Sequence, residues 1–308
     1  MGRRRRREDA RQLHGVLVLD KPSGPTSTDC LNRIKRELGQ PVIGHAGTLD
    51  PLASGVLVVL LGKATRLASH LLGARKTYHG ALRLGLTTDT YDIQGKVIEE
   101  RPCEGLDPDA IRQAVLDWKG TSMQEVPAYS AAKHQGRPLY ELARAGEEVP
   151  VKEKEIMVYE AEALMVQPPE AAFRVACSAG TYVRSLVHSL GKRLGCGAIM
   201  TALTREASEP FSLGQAHGLE EVLTDPDGFG ARVLSIPEAL NGWLQVELGP
   251  EEANGVRNGM RIPVAPDLAE SASPGAKALL SESGEPLALV EARHLDGRLK
   301  WVILRGLF

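Results

Sequence analysis

The 308-residue sequence predicts an α+β fold: a mixed, mainly antiparallel sheet flanked by helices, followed by a small C-terminal β-domain. Three observations carry this. Segments that alternate with period two are interspersed with amphipathic segments of helical period. From Val246 on, short apolar runs are separated by Asn254-Gly255, Asn258-Gly259 and Asp296-Gly297, the punctuation of a small β-barrel or sandwich. The length suits one large domain plus a small one, with 43% hydrophobic residues for a core and 25% charged residues to cover it. No segment repeats at a fixed period.

In chain order, Gly15 to Leu19 (GVLVL) reads as a first strand, followed by the turn-rich loop Asp20-Lys21-Pro22-Ser23-Gly24-Pro25. Ser27 is expected to cap a helix with Leu31, Ile34 and Leu38 on its apolar side and Gly39 as its stop. Val56 to Leu61 is an apolar run of buried-strand length, and Lys63 to Leu72 reads as a short amphipathic helix. Lys76 to Leu84 alternates so that Tyr78, Gly80, Leu82 and Leu84 share a face. The loop from Gly85 to Gly95 is rich in Thr and Asp, but Asp89, Asp92 and Gly95 lack the spacing and closing Glu of a calcium loop. Residues 108 to 118 form a helix with Pro108 in its first turn. Pro127 to Arg144 interleaves Tyr129, Lys133, His134, Arg137 and Tyr140 and is broken by Gly136 and Pro138, as in a helix-turn-helix excursion. Residues 150–166 and 171–177 alternate as strands. Thr181 then caps a helix buried along Val183, Leu186, Val187, Leu190 and Leu194, and Cys196 to Arg205 returns as a strand.

The formal net charge is −2, so no global field draws in a polyanion. The basic residues are nevertheless segregated. No acid occurs from Pro51 to Thr88, which holds Lys63, Arg66, Arg75, Lys76 and Arg83. None occurs from 171 to 205, which holds Arg174, Arg184, Lys192, Arg193 and Arg205. Two acid-free basic stretches on a nearly neutral chain suggest a localised phosphate-binding face. The four cysteines, Cys30, Cys103, Cys177 and Cys196, form no CxxC pair, which removes zinc spacing and leaves reduced core thiols of a cytoplasmic protein. Val56 to Leu61 is far too short to span a bilayer, and MGRRRRRE is not followed by the apolar region of a secretory signal. Arg3 to Arg7 read as a disordered basic arm that either helps hold nucleic acid or does nothing.

The segment that draws attention is Gly44-His45-Ala46-Gly47-Thr48-Leu49-Asp50-Pro51. An Asp followed by Pro sits at a turn, and this one lies directly before a core strand, as the lone acid in front of a basic stretch. Arg184 falls in the first turn of its helix, where a cation opposes the helix dipole and therefore needs an anionic partner.

The stretch GHAGTLDPLASGVL resembles the catalytic motif of the bacterial TruB family of tRNA pseudouridine-55 synthases. The resemblance continues through Lys21-Pro22-Ser23-Gly24-Pro25-Thr26-Ser27, Lys76-Thr77-Tyr78, the block from Val126 to Arg144, and Ser178-Ala179-Gly180-Thr181-Tyr182-Val183-Arg184. It covers residues 14 to 240, and the remainder resembles, more weakly, a PUA domain. The implied organisation is a basic arm at 1–12, a pseudouridine synthase catalytic domain at 13–240 with a mobile thumb-like insertion at about 127–152, and a PUA-like domain at 246–308.

The implied activity is isomerisation of the uridine at position 55, in the T-arm of tRNA, to pseudouridine. The N1–C1′ bond is broken, the base turned over, and C5 joined to C1′. No redox change occurs, so neither cofactor nor metal is required. The resemblance makes Asp50 the catalytic carboxylate, acting at C1′, at C6, or on a cationic sugar. It gives Asp50 as the partner of Arg184, and Tyr78 as the aromatic that lies on the flipped base and is best placed for a late proton transfer. Tyr182 and Leu203 line the pocket, Lys21 supports the active-site loop, and His45 either fills the vacated site in the RNA or is a satisfied loop histidine. The partner is the tRNA T-arm stem-loop, met by a cytoplasmic monomer with no guide RNA, obligate protein partner or membrane. A guide-dependent synthase and a non-catalytic RNA-folding chaperone are the rival readings, and a chaperone role is compatible with catalysis. Three positions depart from the family pattern: Ala179 where Lys is frequent, Thr204 where Arg is frequent, and Ala128 in place of a common Met.

Overall fold

The computed structural model describes residues 12–268 and 270–308; the Arg3–Arg7 arm lies outside them. The chain runs β1 (Gly15–Lys21), α1 (Ser27–Glu37), β2 (Ile43–His45), β3 (Ser54–Leu61), a 3-10 turn (Gly62–Leu67) leading into α2 (Ala68–Leu72), then β4 (Lys76–Leu84). A short side ribbon, β5 (Leu86–Thr88) and β6 (Val97–Glu100), precedes α3 (Pro108–Leu116) and β7 (Gly120–Glu125). Next come β8 (Lys133–His134), β9 (Arg137–Pro138), α4 (Leu139–Arg144), β10 (Glu153–Gln167), β11 (Glu170–Cys177), α5 (Val183–Leu194) and β12 (Ala198–Ser208). They are followed by β13 (Phe211–Ser212), β14 (His217–Gly218), α6 (Leu219–Thr224) and α7 (Ile236–Ala239). The C-terminal part holds β15 (Leu244–Glu247), α8 (Pro250–Arg257), β16 (Ile262–Pro263), β17 (Lys277–Glu282), β18 (Glu285–Leu295) and β19 (Arg298–Gly306).

The main sheet has ten strands, ordered β14-β1-β3-β12-β4-β11-β10-β7, with β2 on β3 and β13 on β12. Only the β1–β14 and β12–β3 pairs are parallel, so it is mixed and mainly antiparallel. The second sheet, β15-β17-β18-β19-β16, is antiparallel apart from β15–β17. Among the described residues no helix is long and apolar enough to cross a membrane.

The apolar runs of β1 and β3 reflect burial on both faces, which removes the need for alternation. Leu17, Leu19, Leu57, Val59 and Leu61 face one core with Ile34, Val187 and Leu190 of the flanking helices. Their neighbours Val16, Val18, Val56, Val58 and Leu60 face the other side and share a cluster with Leu279, Leu289 and Leu307 of the C-terminal sheet. That sheet therefore completes a core instead of hanging from a linker.

Several local expectations are corrected. The α1 cap is Thr26, whose hydroxyl accepts from Asp29 N–H (3.0 Å) while the Asp29 carboxylate accepts from Thr26 N–H (2.9 Å). Ser27 instead bonds across to the Asp50 loop, donating to Leu49 C=O (3.0 Å) and accepting from Leu49 N–H (2.9 Å). Tyr182, not Thr181, is the α5 cap, and Gln124 satisfies its main chain by accepting from its N–H (2.8 Å) and donating to its C=O (3.0 Å). The insertion is a hairpin followed by one helix, because Gln135 and Gly136 take positive φ (48° and 87°) and close a two-residue turn. Asn254-Gly255 lies inside α8; Pro250 in the first turn and the acids Glu251 and Glu252 outweigh the turn signal. Asp296-Gly297 is the β18–β19 turn, as expected, with both residues at positive φ.

Candidate active site

Asp50 sits on the loop joining β2 to β3. Gly47 holds φ +107°, and a methyl built there would touch Arg205 and Lys76 at 3.6 and 3.7 Å. The loop is clamped along its main chain from two sides. From the β1–α1 segment, Lys21 Nζ donates to Ala53 C=O (2.8 Å), Ser23 to Leu52 C=O (2.9 Å), and Ser27 holds Leu49. From β12, the buried Arg205 donates to Gly47 C=O (2.9 Å), Thr48 C=O (3.4 Å) and Val56 C=O (2.6 Å). The Asp50 side chain is 41% exposed while the loop beneath it is fixed.

Arg184 extends from the first turn of α5, its side chain 5% exposed. Its Nε lies 2.9 Å from Asp50 Oδ2. Nη1 donates to Thr90 C=O (2.8 Å) and lies 3.7 Å from Asp92, whose side chain is 7% exposed. Nη2 donates to Tyr129 C=O (3.0 Å), at the root of the insertion. The Thr90–Asp92 turn is held by Tyr91, at φ +64°, whose ring stacks on His188 one turn along α5, centroids 3.8 Å apart.

Tyr78 lies beside Arg205 across the β4–β12 ladder. Burial pushes the phenol up from its ordinary range, and the Arg205 cation opposes that. Lys76, two residues earlier, is buried and donates to the Leu72 and Ala74 carbonyls at the end of α2 (2.7 Å each). Burial, helped by Arg205, pulls its ammonium down to about 8.

These groups surround a cavity of about 210 Å³ whose wall includes Asp50, Tyr78, Tyr182, Arg184, Leu203 and Arg205. Drug-sized sites hold roughly 300–1,000 Å³, so this one has the scale of a single small ring system. Five of the seven residues expected at the site therefore converge. The other two do not line the cavity. Lys21 is buried, and its ammonium, lowered by burial, acts on the loop from behind through the Pro22 and Ala53 carbonyls (2.8 Å each). His45 lies on β2, opposite Val59, with its Nδ1 enclosed and without a hydrogen-bond partner, and burial lowers its pKa. Asp92 carries no local signal beyond its Thr/Asp-rich loop, and Lys76 and Arg205 stand in the sequence only as members of the two basic stretches. The signal for Arg205 was its place in a core strand, where an unpaired cation needs a buried purpose.

A wider groove of about 780 Å³ lies at the other end of β4, along Arg83–Leu86, Glu100–Gly105 and Pro168–Pro169. Its arginines are already engaged, Arg83 with Glu170 and Arg101 with Glu99. Among the described residues no group of three or more His, Cys, Asp or Glu is arranged to hold a metal ion.

Residues 35–183 match the model of the TruB family pseudouridylate synthase N-terminal domain. The tRNA pseudouridine synthase B of Nitratidesulfovibrio vulgaris (Miyazaki F) is 51% identical over 301 residues, covering 96% of this chain and 97% of that protein. The protein of the same name from Oleidesulfovibrio alaskensis is 50% identical over 303 residues, covering 96% and 97%. Among solved structures, a Cbf5-Nop10-Gar1 complex aligns with TM-score 0.71 at 27% identity, over 96% of this chain and 85% of that one. An H/ACA RNP bound to a substrate RNA containing 2′-deoxyuridine gives 0.69 at 25%, over 96% and 85%. Near-full-length identity at this level, on a shared fold, leaves one assignment: the chain belongs to the TruB family of pseudouridine synthases.

Proposed function

We propose that this enzyme isomerises a tRNA uridine, that of the T-arm at position 55, to pseudouridine, with Asp50 as the catalytic carboxylate. The near-full-length relatives bear the name tRNA pseudouridine synthase B, which supports tRNA as the substrate. The observation that carries the residue assignment is the 2.9 Å pair between a half-exposed Asp50 and a buried Arg184 on the wall of a one-ring cavity. A carboxylate that only ordered its own turn would need no such partner.

The uridine leaves its stack and enters the cavity, at a cost of a few kcal/mol. Tyr78 offers its ring to the base, and Tyr182 and Leu203 close the sides. Asp50 acts on C1′, on C6 or on a cationic sugar, and Arg184 fixes which oxygen faces the substrate. The N1–C1′ bond breaks and the C5–C1′ bond forms. C5 loses its proton and N1 gains one, so atoms and electrons balance without a cofactor. The Tyr78 hydroxyl, on the cavity wall beside Arg205, is the group best placed to move that proton. Lys21 supports the loop from outside the cavity, and the His45 role in the vacated site requires its enclosed ring to turn outward. The enzyme acts as a cytoplasmic monomer without guide RNA or protein partner.

The test is an unmodified tRNA transcript carrying 5-tritiated uridine, incubated with the purified protein alone. Tritium release with pseudouridine mapped to one T-arm site supports the reading. No release, or release only when a guide RNA or protein is added, overturns it.

A further inference from the structure

We infer that Lys76 and Lys154 form a two-cation rim site for a backbone phosphate flanking the target uridine. The inference rests on the RNA substrate proposed above and assigns residues to a contact that reading leaves open.

The placement follows from the sheet. In the order β4-β11-β10, Lys76 at the start of β4 lies directly across from Cys177, the last residue of β11. The chain then turns through Ser178–Gly180 into α5, and Gly180 lines the cavity. Lys154, near the start of β10, reaches that turn from the other side and donates to Ala179 C=O at 3.1 Å. Gly180 leaves room for it; with φ +80° and no side chain, it admits the Lys154 ammonium where a Cβ would overlap it. Ala179 brings no donor of its own, so the cation at this turn is delivered from β10.

Neither ammonium has a carboxylate within ion-pair distance among the described residues. Lys76 uses two of its three protons on the Leu72 and Ala74 carbonyls. The Lys76 ammonium feels the positive charges of Arg205 and, more weakly, Lys154. The cavity's carboxylate, Asp50, is committed to Arg184. Burying the Lys76 cation without an anion is unfavourable, and the pairing with the exposed Lys154 is explained if the anion arrives with the substrate. A nucleotide that enters base-first leaves its phosphates at the rim. Leu72, 46% exposed and also lining the cavity, places the Lys76 end of α2 at that rim.

The test uses full-length protein and a T-arm stem-loop RNA with one neutral methylphosphonate linkage, 5′ or 3′ of the target uridine. A third RNA carries the neutral linkage in the distal stem. The variants are Lys154→Met, which is exposed and leaves the core untouched, and Lys76→Met, with Lys76→Arg as its conservative rescue. For wild-type protein, one of the two flanking linkages should weaken binding about 10-fold. Each Met variant should bind native RNA about 3–10-fold more weakly, with the slope of log K against log salt smaller by about 0.7–0.9, the value of one lost contact. That same neutral linkage should then cost the variants less than about 2-fold, while Lys76→Arg keeps the sensitivity and the distal linkage affects all proteins alike. If both Met variants stay as sensitive as wild type to both flanking linkages, or bind native RNA normally, the rim site is wrong although the substrate reading stands. If wild type fails to bind native stem-loop at all, the substrate reading falls and the rim site falls with it. A Lys76→Met protein that fails to fold leaves Lys154→Met to decide.

Discussion

Asp50→Asn should separate chemistry from stability almost completely. A buried arginine that loses its only anion costs about 3–5 kcal/mol, and on sequence alone that penalty would be charged to this variant. The structure changes the sum. Arg184 keeps the buried Asp92 at 3.7 Å and the Thr90 and Tyr129 carbonyls at 2.8 and 3.0 Å. Asp50 itself is 41% exposed, so its pair belongs with near-surface ion pairs of about 0–1 kcal/mol. At about 2–4 °C per kcal/mol for a domain of this class, the melting point should move by less than about 4 °C. Arg184→Met removes the cation beside the buried Asp92, whose Oδ1 keeps only the Thr90 hydroxyl and the Gln94 N–H, so most of the ~3–5 kcal/mol applies, a fall of about 6–20 °C. Activity should behave the other way. The amide is neither a nucleophile nor a counter-charge, so tritium release by Asp50→Asn should fall more than about 10⁴-fold, with tRNA affinity near wild type because affinity comes mainly from phosphates and shape. The assays are tritium release, filter binding and thermal melting, with mass spectrometry to exclude deamidation back to Asp. Substantial turnover by the Asn variant would refute the catalytic assignment. A melting point lowered by more than about 10 °C would refute the division of labour between the two carboxylates.

Tyr78→Phe keeps the stacking ring and leaves Arg205 its three carbonyl acceptors; binding should stay near normal while product formation collapses, and wild-type rates in a single-turnover assay would remove the proton-transfer role. Lys76 loses its charge as pH rises through about 8, so RNA affinity should weaken across that range and flatten in Lys76→Arg, measured by filter binding from pH 7 to 9.5. Stability should move the opposite way, because between about 8 and the ordinary lysine value the unfolded chain holds the extra proton and the native state gains as pH rises. In the insertion, Val126, Leu139 and Leu142 form a core of only three buried residues, so amides 133–138 should exchange fast in the free protein and slow on tRNA binding; strong protection in both states would contradict a mobile insertion. Truncation after residue 245 should do more than weaken RNA binding. It strips Leu279, Leu289 and Leu307 from the cluster under β1 and β3, and a truncated protein with a wild-type melting point would show that this packing contributes little.

The fold was legible where local pattern and burial agree. The alternation of Lys76–Leu84, the continuous apolar runs and the buried stripe of α5 each leave a periodic trace. What escaped depends on contacts between distant segments. Ser27 and Thr26 are equally good caps by type, and only the Leu49 main chain decides that Ser27 is used elsewhere. Thr181 does not cap α5 because its hydroxyl faces back to Ser178 (3.4 Å), while Gln124, 58 residues away, holds the main chain of Tyr182 at the cap position. Asp50 stood out as a lone acid before a basic stretch. Asp92 was hidden among the polar residues of its loop, and no spacing rule joins it to Arg184. Arg205 was counted as one of several surface cations, whereas its strand buries it against three carbonyls.

These cations have a common structural logic. Arg205 and Lys21 hold the Asp50 loop, and both do so through main-chain carbonyls, not carboxylates. A carbonyl anchor fixes backbone position without adding an anion that would compete with Asp50 for Arg184 or repel an incoming phosphate. Apolar packing could bury the loop but could not orient it, because dispersion contacts are non-directional while a short N–H···O bond is not. The requirement placed on the sequence is therefore a buried cation at the end of β1 and another on β12, far apart in the chain and converging from opposite sides of one eight-residue loop. Of the residues on the cavity wall, Arg205, Lys76 and Arg184 are cations and Asp50 is the carboxylate, so the wall is electropositive around it. That is the field a polyanionic substrate requires, supplied by the residues that also set the geometry of the reacting group.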